Sequence, residues 1–133
     1  LADIDLQETV LLGNPPRIFQ YEPASDVELT ASGGATPSAQ SEAVNVLGAI
    51  EISITLCHNL MGSDSTDLDL EIYTSPDGIR WDTDPYHTIN VGASKQLPPV
   101  PLTPPNVLSI RWKAVNKDAV NSTKLRPIIT LRR

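Results

Sequence analysis

The chain has 133 residues, a formal net charge of −6, and a composition that is 40% hydrophobic but only 5% aromatic. That length fits one domain, residues 1–133, able to bury roughly two-thirds of the surface its unfolded chain exposes. The acidic balance argues against nucleic acid as a partner, because phosphate neutralisation needs clustered Lys and Arg; no apolar run approaches the roughly 18 residues of a membrane span, so no membrane partner is expected; and a single cysteine, Cys57, excludes an internal disulfide.

Leu1 to Asp5 alternate apolar and acidic residues, unlike a secretory leader. Asp3 to Leu12 has strand character, but Pro15, Pro16 and Pro23 punctuate the next stretch, and residues 1–25 are expected to form an extended arm. Val27, Leu29 and Ala31 alternate with Glu28 and Thr30, the period-two signature of a half-buried strand. Ser32 to Ser41 is a Gly, Ala, Ser and Thr stretch that reads as a loop. Ile50, Ile52, Ile54 and Leu56 then form an apolar row, and Leu68, Leu70 and Ile72 another, the latter opposed by an exposed acidic row of Asp67, Asp69 and Glu71. Ser75-Pro76-Asp77-Gly78 has the chemistry of a tight turn and predicts a hairpin, with residues 79–82 and 86–91 as short strands broken at Asp84-Pro85. Leu97 to Pro105 contains five prolines and predicts a stiff, polyproline-like crossover. Leu108, Ile110, Trp112 and Ala114, and later Leu125, Ile129 and Leu131, complete the core rows. About eight strands with turn signals between them predict an all-β fold, a two-sheet antiparallel sandwich with jelly roll preferred over Ig-like topology.

Charge divides unevenly along the chain. Residues 1–75 hold twelve acids and one base, Arg17, whereas residues 76–133 hold nine bases and four acids. Oppositely charged strands lying side by side in one sheet account for this, since cross-strand pairs contribute about 0.2–1 kcal/mol each. The alternative is an acidic face and a basic face that orient the protein on a partner.

No catalytic constellation emerges, and the protein is not expected to be an enzyme. There is no G-x-S-x-G, and Cys57 and His58 are neighbours that a strand turns to opposite faces. His87 lacks a second histidine at ligand spacing, and no phosphate-binding loop is present, so neither a metal nor another cofactor is expected. Asp64, Asp67, Asp69 and Glu71 invite a calcium reading, but they lack the spacing of a calcium loop and read equally well as a solvated strand face.

Binding is what remains. Leu6, Val10, Leu12, Pro15, Pro16 and Phe19 on the arm, Pro99, Pro101 and Pro104 on the stiff segment, and Arg111, Lys113 and Arg126 on the basic rows are the candidate contact residues. A stiff segment loses little entropy on docking. The stretch from Ser75-Pro76-Asp77-Gly78 to Trp81, taken with Ile110-Arg111-Trp112-Lys113 and Asn116, resembles small β-sandwich structural proteins of tailed bacteriophages, above all the capsid cement or decoration proteins. The resemblance covers about residues 44–133. It implies a protein made in the host cytoplasm and carried on the capsid surface of the virion, where it clamps neighbouring major capsid proteins. Homo-oligomers, dimers or trimers, are expected of such proteins. The competing expectation is a carbohydrate-binding or host-recognition module of a phage tail or fibre, with Trp81 as a stacking platform and Tyr73 and Tyr86 near it.

Overall fold

Period-two alternation becomes strand wherever one face of a segment meets a core, and most of this chain does so. The structure, a computed structural model, describes residues 3–11, 17–33, 37–58, 65–93, 96–104 and 107–133. Twelve strands succeed one another: β1 (Asp3–Ile4), β2 (Leu6–Val10), β3 (Ile18–Pro23), β4 (Val27–Leu29), β5 (Ser38–Ser41), β6 (Val44–Asn45), β7 (Glu51–His58), β8 (Leu68–Ser75), β9 (His87–Asn90), β10 (Gln96–Leu102), β11 (Ser109–Asn116) and β12 (Thr123–Arg132). They form two six-stranded sheets. One runs β1-β5-β11-β8-β9 with β6 also on β11; the other runs β10-β7-β12-β3-β2 with β4 also on β12.

The chain is therefore an all-β, two-sheet sandwich. Ile54 and Leu56 of β7 and Leu125, Ile129 and Leu131 of β12 face Leu68, Leu70 and Ile72 of β8 and Ile110, Trp112 and Ala114 of β11, and all are fully buried. Burying each large side chain among them contributes roughly 1.5–3 kcal/mol. Interrupted strands share one partner: β3 and β4 both pair with β12, and β5 and β6 both pair with β11. Counted that way, eight strands from β3/β4 to β12 pair first with last, second with seventh, third with sixth and fourth with fifth.

Several expectations need correction. Residues 6–10 and 18–23 are extended as expected of an arm, but they form an antiparallel pair in the second sheet, because the residues of β3 can satisfy their backbone groups on β12 as well as β2. The sandwich is not wholly antiparallel, since β1 joins β5 in parallel. Ser38–Ser41, placed in a loop for want of large apolar residues, is a strand whose backbone pairs with β11 and whose Ala39 packs on the core. Residues 79–82 form no strand: Asp77 accepts the N–H groups of Ile79 (2.9 Å) and Arg80 (2.8 Å), which tightens a loop around Gly78 at φ 77°. Residues 96–102 form edge strand β10 instead of a crossover, with its register shifting between Leu97 and Val100. An edge tolerates proline because one side of its backbone faces no neighbouring strand.

Asn116 and Asp118 knot three loops together at one end of the sandwich. The buried Asn116 side chain donates to Thr30 O (2.8 Å) and Asn121 O (3.0 Å) and accepts from Ser65 Oγ (2.8 Å). The Asp118 carboxylate accepts the N–H groups of Thr66 (3.0 Å), Val120 (2.9 Å) and Asn121 (2.9 Å). These backbone donors, Thr66 first, hold its pKa well below the usual carboxylate range. Asn116→Ala strands buried partners and is expected to lower unfolding free energy by about 2–3 kcal/mol in urea titrations. A depressed folded-state pKa means that the Asp118 contribution is complete above the unfolded value of about 3.9 and lost as pH falls toward the folded one. Asp118→Asn should accordingly flatten the acid limb of melting temperature against pH.

Candidate docking surface

One end of the sandwich carries apolar surface that the core leaves uncovered. Register places Val10, Phe19, Leu131, Ile52 and Leu102 in one row across the second sheet. Just beyond that row the chain turns: Leu11 N–H donates to Ile18 O (2.8 Å), Ile50 N–H to Arg132 O (2.6 Å), and Arg17 and Arg133 exchange backbone bonds (2.8 and 3.0 Å). These bonds hold apolar side chains at the rim, where Val10 is 48% exposed, Leu11 50%, Leu47 66% and Ile50 65%. Ile50 also lines an open groove of about 280 Å³, together with Ile18, Ile52, Pro101, Leu102 and Leu131, with the Glu51–Arg132 ion pair (3.1 Å) on its wall. Ile50 was expected to extend the core row of β7. It precedes the strand, so its side chain stays outside.

Arg133 braces this end. Its guanidinium donates to Leu47 O (2.9 Å) and to the Tyr21 hydroxyl (3.3 Å), and lies 5.1 Å from the centre of the Phe19 ring. A side cleft adjoins, lined by Leu6, Glu8, Tyr21, Glu42, Leu47 and Arg133. Burial, and then the hydrogen bond to Glu8, push the Tyr21 phenol up to about 12.

The candidate contact residues do not form one site. Val10, Phe19 and Pro101 belong to the apolar end, and Pro104 follows Thr103 on the groove wall. Leu6 pairs with Pro23 farther along the sheet, and Pro99 lies at the irregularity of β10. Leu12, Pro15 and Pro16 fall outside the described residues. Arg126 is engaged within the fold: its guanidinium reaches Asp26 (2.9 Å) and Pro23 O (3.1 Å), stitching the gap between β3 and β4. Leu11, Ile18, Leu47 and Ile50 were missed. Leu47 beside Gly48 was the one local signal, a large apolar residue in a turn with nothing to bury it.

Basic residues of the charged rows stand opposite acids across the ladders, and Arg132 forms an ion pair with Glu51 (3.1 Å). Lys113 stands opposite Glu71, Lys124 opposite Glu28 and Arg132 opposite Glu51. Asp69, expected on an exposed acidic row, is buried under Lys117 Nζ (2.5 Å) and Asn90 Nδ2 (2.8 Å). Asp64 lies outside the described residues, and among the described residues no three His, Cys, Asp or Glu side chains gather into a metal-holding group.

The other candidate patch surrounds Trp81. Arg111 stacks on its ring at 4.3 Å, a cation–π contact that occupies one face. The Tyr73 hydroxyl donates to Glu71 Oε1 (3.0 Å), and burial followed by this bond raises the Tyr73 pKa. No family model matches the chain, and neither does any curated protein.

A raised tyrosine pKa gives folded-state stability that is complete below the ordinary value of about 10 and lost as pH rises through the folded one. Spectrophotometric titration should therefore show one of the three tyrosines ionising near 12, with that component missing from Tyr21→Phe.

Proposed function

We propose that this protein is a structural component of a phage virion, which binds the outer surface of the capsid and clamps neighbouring major capsid subunits. The observation that carries the binding part is the apolar end: Val10, Leu11, Leu47 and Ile50 stand exposed at one end of the sandwich, where Ile50 also lines a groove, while Asp69, Arg126 and Arg132 are engaged in ion pairs within the fold. Apolar side chains exposed at one end in this way mark a candidate protein–protein contact. The capsid as partner rests on the resemblance of residues 44–133 to cement proteins. The jelly-roll reading of the sandwich is supported by the pairing of eight successive strands as one long rolled hairpin, first with last and fourth with fifth.

Such a protein acts by linkage and needs no catalytic step. Affinity for the assembled shell alone stabilises that assembly by mass action, and many repeated copies multiply the effect. Arg111 over Trp81 weighs against a sugar module, because the cation takes one of the two ring faces on which a sugar would stack.

Removal of residues 1–20 would take away β1, β2 and part of β3, so point variants are the sharper test. Leu47→Glu with Ile50→Glu, both on exposed positions, is expected to keep the fold and lower capsid occupancy about tenfold or more, read by electron microscopy of saturated particles. Full occupancy by the folded double variant would remove the apolar end from the interaction. Retention of the wild type on a glycan surface, abolished by Trp81→Ala, would replace the capsid reading with the sugar module.

A further inference from the structure

Two sheets of this kind present four edges, and three of them carry features that discourage a further strand. β1 is only two residues long. β10 holds Pro98, Pro99 and Pro101, which have no N–H to offer. On β2 the Leu6 N–H is already bound by the Glu42 carboxylate (2.8 Å), and Glu8 places a charge in mid-strand. β9, His87-Thr88-Ile89-Asn90, has no proline, no acid and no lysine, and pairs on one side only among the described residues.

The ladder determines which groups β9 turns outward. Lys117 N–H donates to Asp67 O, so the odd-numbered residues of β8 point their backbone groups at β11 and the even-numbered ones at β9. Val91 N–H donating to Leu68 O agrees, and with the pairing of Leu70 to Ile89 it leaves His87 and Ile89 bonded inward. Thr88 and Asn90 therefore present their N–H and C=O groups at the free edge. An antiparallel two-fold centred on Ile89 sets Thr88 of one copy opposite Asn90 of the other, so that all four outward N–H groups meet C=O groups. Ile89, partly buried against the core, meets its own equivalent on the inner face. Charge does not oppose the pairing, for the acids of β8 would lie about 14 Å apart across three strand spacings, beyond a Debye length of about 8–10 Å, and Asp69 is covered by Lys117.

We infer that β9 is a homodimerisation edge, which pairs with β9 of a second copy about Ile89 to join the two β9-containing sheets into one continuous sheet. This pairing is independent of what the apolar end binds, so it can stand or fall apart from the capsid reading.

Sedimentation velocity over a concentration series tests it, combined with amide exchange of the full chain resolved by residue. The wild type should shift from monomer to dimer with a Kd of about 1 mM or tighter. Thr88 and Asn90 amides should gain protection as the dimer fills, while His87 and Ile89 amides, already bonded to β8, should not change. Thr88→Pro removes an outward donor without touching the β8 ladder and should stay monomeric; Thr88→Val, which keeps the N–H, should dimerise as the wild type does. If Thr88→Pro fails to fold, Thr88→Lys, with its side chain on the exposed outer face, takes its place and should weaken the dimer at least tenfold. A wild type that is monomeric throughout the series overturns the inference. So does a dimer in which Thr88 and Asn90 exchange as freely as in the monomer.

Discussion

The structure depends on the register of two ladders. β7 against β12 and β8 against β11 each pair through eight residues, and each sets an inner row of fully buried side chains. A slip of one residue in either would turn Ile54 and Leu56, or Leu70 and Ile72, toward solvent and bring Thr55 or Glu71 inside. The difference in burial between the two arrangements is several large side chains at roughly 1.5–3 kcal/mol each, which leaves one register available. Everything else hangs on these ladders. β12 and β11 occupy the middle of their sheets, and the two interrupted strand pairs β3/β4 and β5/β6 are held as segments laid along them.

Pro127 shows how tightly that register is enforced. A proline inside a central strand lacks an N–H for one neighbour, yet β12 carries one opposite Leu56. On its other flank the partner strand is broken, with β3 ending at Pro23 and β4 beginning at Val27. Arg126 fills that break with charge-assisted bonds to Asp26 and a bond to Pro23 O. The basic residue that looked available to a partner is thus engaged where the backbone ladder is missing. Lys117 over Asp69 is a second case, in which a charge counted as exposed is used inside the fold.

Several charges are engaged within the sheets, and among the described residues the surface carries two further features. At the end bearing Ile50 and Leu47, apolar side chains extend beyond the last row of the core because the strands stop there and the opposite sheet does not cover them. At the edge of β9, backbone polar groups lack a strand neighbour among the described residues. The first suits a surface of another protein and the second suits a strand. Having both would suit the proposed capsid role, since a second contact made by an already tethered copy is an intramolecular event with a raised effective concentration.

Local sequence determined the all-β character, the core rows and the positions of most long strands, because Ile52 to Leu56, Leu68 to Ile72 and Ile110 to Ala114 alternate strictly, Leu125 to Leu131 alternates apart from Ile128, and alternation needs only neighbours along the chain. It also determined that Cys57 and His58 lie on opposite faces. Strand β5 was invisible because its small residues carry no hydrophobic signal; the backbone of β11 creates it. The same holds for β10, whose three prolines read as part of a crossover until an edge position made them compatible with a sheet. Tertiary structure alone decided that residues 18–23 are an interior strand, that Arg126 and Asp69 are occupied, and that Ile50 is outside. Each outcome turns on which partner stands across the sheet, and pairing between residues as far apart as Arg126 and Asp26 leaves no periodic trace in the sequence.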